Sequence, residues 1–122
     1  MFTGIVEGVG KVVSFEEKKA AWLLKLQAPE FIAETLSDGD SLACNGCLTL
    51  VGRDANELSF ELLEETIRLT SFEGVKAGTK MNLERPLAAN ARLGGHFVSG
   101  HIDVRSKVEV FEQKGKNFYL KV

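Results

Sequence analysis

This chain resembles itself at long range, and that limits its folds more than any other feature. Sliding the 122-residue sequence by 96 positions lays Met1–Leu26 over Phe97–Val122 without a gap. Eight of the 26 pairs are identical: Gly4/Gly100, Lys11/Lys107, Val12/Val108, Phe15/Phe111, Glu16/Glu112, Lys18/Lys114, Leu24/Leu120 and Lys25/Lys121. Unrelated segments of this length share roughly one or two. Thr3/Ser99, Val6/Ile102, Glu7/Asp103, Trp22/Phe118 and Leu26/Val122 are conservative pairs. An offset of 96 is itself a domain length. The expectation is one complete unit over residues 1–96, followed by residues 97–122, the interrupted start of a second, similar unit.

The complete unit is strand-rich. Trp22, Leu24 and Leu26 alternate with Leu23, Lys25 and Gln27; Leu58, Phe60 and Leu62 alternate with Ser59 and Glu61; Met81 and Leu83 alternate with Lys80, Asn82 and Glu84. Period two is the pattern of a half-buried strand. Turn residues separate these runs: Ser37-Asp-Gly-Asp40, Asn45-Gly46, Asp54-Ala-Asn56 and Lys76-Ala-Gly-Thr79. The strands expected are 5–15, 21–27, 41–43, 48–51, 57–63 and 80–85. Short helices are expected at 29–35, with Pro29 at an early helical position, and at 64–69. Six short strands at regular spacing predict an all-β fold, a small closed barrel with one or two short helices.

Composition narrows the partners. With 44% hydrophobic and 26% charged residues the chain is globular. Fifteen basic against seventeen acidic residues give a net charge of −2. That leaves no basic surplus to neutralise a phosphate backbone, so no nucleic-acid partner is expected. Apolar runs of only a few residues exclude a membrane span. The first residues carry neither a basic region nor a long apolar stretch, so no secretory signal is expected. Two cysteines three positions apart then fit free thiols in a reducing cytoplasm.

Cys44-Asn-Gly-Cys47 is a C-x-x-C on a hairpin-like Asn-Gly turn, and it stands alone. A redox dithiol of this type opens a helix in a βαβ unit, and the imidazoles of a zinc site lie about fifty residues away. A thiol beside a ligand pocket, with Cys44 simply buried, fits better. Gly8-Val-Gly-Lys11 lacks the rest of a phosphate loop and falls within a strand, where glycine marks a bulge. Gly94-Gly-His-Phe-Val-Ser-Gly-His-Ile-Asp103 is the most unusual stretch. Its glycines and serine let backbone approach a ligand, and its two imidazoles can carry protons near neutral pH. In Glu61–Thr70 a strand end meets a helix start, which leaves main-chain groups free for the amide edge of a planar heterocycle.

Met1-Phe-Thr-Gly-Ile-Val-Glu7, Asn45-Gly-Cys-Leu-Thr49, Glu64-Glu-Thr-Ile-Arg-Leu-Thr70, Asn82-Leu-Glu-Arg85 and Gly94–Asp103 together, and in this order, resemble the riboflavin synthase family. The resemblance runs the length of the chain. It implies two similar six-stranded antiparallel Greek-key barrels per full chain and a homotrimer when the chain is full length. The implied reaction is a dismutation needing no cofactor and no metal. Two molecules of 6,7-dimethyl-8-ribityllumazine react, one giving a four-carbon unit to the other, to yield riboflavin and a ribitylamino-pyrimidinedione. Carried onto this sequence, Phe2, Thr3, Gly4, Ile5 and Val6 line the substrate pocket and its mouth. Cys47, Leu48 and Thr49 contact the lumazine. Glu61, Leu62, Leu63, Glu64, Glu65 and Thr66 hold its ring edge and ribityl chain. Gly100, His101 and Ile102 match a segment of the facing site. His96 and His101 are the candidates for proton transfer, with Cys47 and Ser41 as polar neighbours.

Two departures stand out. The family usually has one more residue between Asn-Gly and Cys-Leu-Thr than this chain does, and most of a second barrel is absent. Ligand binding with reduced activity is therefore expected, and a non-catalytic lumazine- or flavin-binding protein of the same barrel type is the alternative. A barrel built to face a near-copy of itself is further expected to pair with an identical one, as a homodimer.

Overall fold

The computed structural model describes all residues, 1–122. Eight strands form: β1 (Gly8–Glu17), β2 (Trp22–Gln27), β3 (Ser41–Ala43), β4 (Cys47–Asp54), β5 (Glu57–Leu62), β6 (Lys80–Leu83), β7 (Val110–Lys114) and β8 (Asn117–Lys121). Helices α1 (Glu30–Ala33) and α2 (Glu64–Leu69) and a 3₁₀ turn at Ser71–Gly74 complete the set. The first six strands make one antiparallel sheet in the order β3-β4-β5-β2-β1-β6. Consecutive β3, β4 and β5 return beside β2, the Greek-key arrangement. The sheet curls until its edges meet at one bridge, where Ala43 N–H donates to Glu84 O at 2.9 Å and Glu84 N–H to Ala43 O at 3.1 Å. The result is a nearly closed six-stranded barrel, which leaves little unpaired edge.

Alternation sends one face of each strand inward. Leu24 and Leu26 of β2, Leu48 and Leu50 of β4, Leu58, Phe60 and Leu62 of β5, and Met81 and Leu83 of β6 form the core. α1 closes one side with Ile32 and Ala33. Phe72 closes another, 5.9 Å from the Phe15 ring, which itself lies 4.9 Å from Trp22. Each large buried side chain adds about 1.5–3 kcal/mol of apolar transfer free energy.

Three local expectations need correction. β1 begins at Gly8 rather than Ile5, because Ile5 and Val6 are exposed and outside the ladder. Pro29 precedes the helix instead of lying in it: its ψ of 141° is extended, and its carbonyl accepts from Ile32 and Ala33 N–H. The irregularity in β1 falls between Val12 and Ser14 and not at a glycine. Gly10 serves close packing there, since a Cβ on it would sit 2.9 Å from Leu83 Cδ1 and 3.1 Å from Leu26.

β7 and β8 form a separate two-stranded hairpin with every residue exposed. Its register pairs Val110 with Lys121, Phe111 with Leu120, Glu112 with Tyr119 and Gln113 with Phe118. Subtracting 96 gives Ser14–Lys25, Phe15–Leu24, Glu16–Leu23 and Glu17–Trp22, the register of β1 with β2. Gly4 and Gly100 share a φ of +81°, and Ile5 N–H and His101 N–H each donate at 3.2 Å to the hydroxyl two residues earlier. Phe2 and Val98, equivalent in the repeat, pair with each other across an antiparallel bridge.

Candidate functional site

The bridge between Phe2 and Val98 brings the N-terminus and the histidine-rich segment together on the outside of the barrel. Phe2 N–H donates to Val98 O at 2.8 Å, Val98 N–H to Phe2 O at 3.1 Å, and His96 N–H to Thr3 O at 2.9 Å. Beyond it the segment turns at Gly100 and reaches β4, where Cys47 N–H donates to Gly100 O at 2.7 Å. Gly100 has to be glycine on two counts. Its φ of +81° is left-handed, and a Cβ would lie 2.9 Å from the Phe2 ring and 3.1 Å from Cys47 Cβ.

This docking closes a cleft of about 170 Å³ between the start of β4, α2 and the 100–102 segment. Cys47, Glu65, Thr66, Gly100, His101 and Ile102 line it together, six residues drawn from three separate stretches of sequence. Gly46, Leu69 and Thr70 complete the lining and were not singled out from the sequence. Thr70 is the informative omission: its hydroxyl donates to Thr66 O at 2.6 Å and accepts from Phe72 N–H, joining α2 to the 3₁₀ turn. Only the end of the Glu64–Thr70 motif hinted at it.

The other candidates lie elsewhere. His96 is exposed and outside the cleft, held by its backbone only. Ser41 pairs with Thr49 across β3 and β4, away from the lining. Leu48 and Leu62 point into the core, so only their main chain can meet a ligand. Phe2 is buried beneath Gly100. Gly4 and Val6 are exposed beside it, and Glu61 and Leu63 are exposed at the end of β5. Glu64 faces a second cleft, shared with Glu65, between α2 and the β1–β2 turn. Thr3 and Ile5 line a third of about 570 Å³, with Arg85 and Arg92.

The electrostatics are local. Arg68 pairs with Glu65 at 2.5 Å, which holds the Glu65 carboxyl below its ordinary range. The two cysteines part company. Cys44 is buried with its Sγ 3.2 Å from Met81 Sδ, and burial pushes its thiol pKa up to about 12. Cys47 is half-buried at the cleft. No group of three His, Cys, Asp or Glu side chains lies close enough together to hold a metal ion. The cleft thus offers a thiol, an imidazole, a hydroxyl and main-chain groups around an apolar patch of Leu69 and Ile102. Such a set can orient a planar heterocycle by its polar edge and exchange a proton with it.

The family model described as lumazine binding domain matches residues 3–86. A riboflavin synthase from Bacillus subtilis (strain 168) is 40% identical over 120 residues, covering 98% of this chain and 55% of that protein. The riboflavin synthase of Escherichia coli (strain K12) is 39% identical over 109 residues, covering 88% and 51%. The chain therefore spans about half the length of these curated relatives. Among solved structures, LumP complexed with riboflavin superposes with a TM-score of 0.83 at 24% identity, covering 98% of this chain and 65% of that one. LumP complexed with 6,7-dimethyl-8-(1'-D-ribityl) lumazine gives 0.80 at 23%, covering 98% and 64%. At such identities the likeness is one of fold.

Proposed function

The chain belongs to the lumazine-binding domain family, and from that premise we propose that it is the N-terminal substrate-binding barrel of a riboflavin synthase. The observation that carries this reading is the cleft itself. Cys47, Thr66, Gly100 and His101 converge on one space, although the last two lie beyond the matched residues 3–86. In the proposed reaction two molecules of 6,7-dimethyl-8-ribityllumazine dismutate. One transfers a four-carbon unit to the other, leaving riboflavin and 5-amino-6-ribitylamino-pyrimidinedione. The C7 methyl of the lumazine is acidic because its carbanion delocalises into the pteridine, so a modest base suffices. His101 is the group that receives that proton, and Cys47 and Thr66 orient the ring. Since His96 lies outside the cleft, the proton-transfer role falls to His101.

Much of the remaining barrier is entropic, since two heterocycles must be stacked in one orientation. This is why a second site is required. Residues 97–122 are read as the start of the barrel that supplies it, supported by hairpin registers that coincide at an offset of 96. The full-length enzyme is proposed to be a cytoplasmic homotrimer. The second reading, a non-catalytic lumazine- or flavin-binding protein, is the same barrel and the same cleft used for binding alone. Titrating riboflavin fluorescence tests both, and the absence of quenching at high micromolar protein would remove both. Mixing the chain with a complete second barrel and lumazine then separates them. Growth of riboflavin absorbance supports the enzyme, and persistent inactivity supports the binder.

A further inference from the structure

We propose that Glu84 is a positioning residue of the cleft, its carboxylate fixing the Thr3–Gly4 backbone and, through it, the Val98–His101 segment that carries the imidazole. Its part in ligand binding rests on the reading above, whereas its part in positioning stands on geometry alone. Glu84 is only 8% exposed and closes the barrel through its backbone bridge to Ala43. Its Oε1 accepts from Thr3 N–H at 2.5 Å and from the Thr3 hydroxyl at 2.7 Å, and its Oε2 accepts from Gly4 N–H at 3.1 Å. No cation pairs with it, for the neighbouring Arg85 turns its guanidinium to Glu7. The charge is met by two successive main-chain N–H groups and one hydroxyl, an arrangement suited to an anion.

From there the structure runs outward through backbone hydrogen bonds and one side-chain contact. Thr3 O receives His96 N–H, Phe2 and Val98 exchange two hydrogen bonds, and Gly100 rests on Phe2 and Cys47 while its carbonyl receives Cys47 N–H. Glu84 lines the 570 Å³ cleft beside Arg85 and does not line the 170 Å³ one, so any influence on His101 passes through this relay. The two residues are seventeen positions apart in the chain, and the relay links them through residues 2–4.

Glu84→Gln keeps the size of the side chain and turns an NH₂ toward donors that need an acceptor. Backbone amide exchange followed by NMR is the direct readout. The His96, Val98 and Cys47 amides are expected to exchange about tenfold or more faster than in the unaltered chain, while Leu24, Leu58 and Phe60 amides keep their rates. Riboflavin affinity is expected to fall by about tenfold or more. Unchanged exchange at Val98 and Cys47 would overturn the proposal, as would an equal acceleration of every amide, which reports general loosening. If the unaltered chain binds no riboflavin, the functional reading fails while the exchange pattern still decides this one. Should Glu84→Gln fail to fold, Thr3→Val removes one of the three donors and leaves the closing bridge intact. The same selective acceleration is expected from it, and its absence would again overturn the proposal.

Discussion

Cys44 and Cys47 lie three positions apart in sequence, yet one is in the core beside Met81 and the other is on the wall of the cleft. At pH 8 a thiol-specific disulfide reagent should label one cysteine rapidly in the folded chain, identifiable as Cys47 by peptide mapping. Cys44, with a pKa near 12, should label only on unfolding. Labelling of both at similar rates would contradict this. Glu7 is a second residue with a measurable signature. Arg85 bonds both its carboxylate oxygens and holds its pKa below the ordinary 4.5. That stabilisation is complete above the unfolded value and is lost as pH falls through the lower folded value. Glu7→Gln should therefore lower stability at pH 7 by about 0.5–1 kcal/mol after solvent screening, and flatten the loss below about pH 4.5. Urea midpoints measured across pH 2–7 check both features. Cys47, Gly100 and His101 could be singled out in the sequence, because glycine, histidine and cysteine at close spacing are chemically conspicuous. Glu84 could not. In sequence it looks like the next outward position after Leu83, and only the Thr3 and Gly4 donors, eighty positions away, give it a burial partner.

At the scale of elements, strict alternation made β2, β5 and β6 legible to within a residue or two, since burial on one face forces period two. It misled at the start of β1, where apolar Ile5 and Val6 lie beside the bridged N-terminus without joining the ladder. The 3₁₀ turn at Ser71–Gly74 had no periodic signal, being fixed by the single side chain of Phe72 in the core and the Thr70 cap. The β7–β8 hairpin was legible only through its likeness to β1–β2. Its aromatic pair, Phe111 on Phe118 at 5.6 Å, matches Phe15 on Trp22, but nothing covers it. A lone two-stranded hairpin is marginal in water. Amides of Val110–Lys121 should consequently exchange at least about a hundredfold faster than those of β2 and β5 when the chain is a monomer. Protection equal to that of the barrel would mean that another surface covers the hairpin.

Across the whole molecule, the six-stranded barrel is nearly closed, while Phe97, Phe111, Phe118 and Leu120 remain exposed in residues 97–122 beyond it. Exposed apolar surface of this kind is what the proposed pairing with a second copy of the chain would cover. Sedimentation equilibrium should show a dimer at tens of micromolar, and a monomer throughout would contradict that arrangement. The fold was legible from spacing, whereas the cleft depends on the 96–102 segment docking onto the barrel, which no local pattern encodes. An NMR titration of the isotopically labelled chain with riboflavin shows whether this cleft holds the lumazine or flavin ring. Amide shifts should concentrate at Cys47, Thr66, Gly100 and His101 and saturate with a single dissociation constant. Shifts gathered instead around Arg85 and Arg92, or no shifts at all, would contradict it.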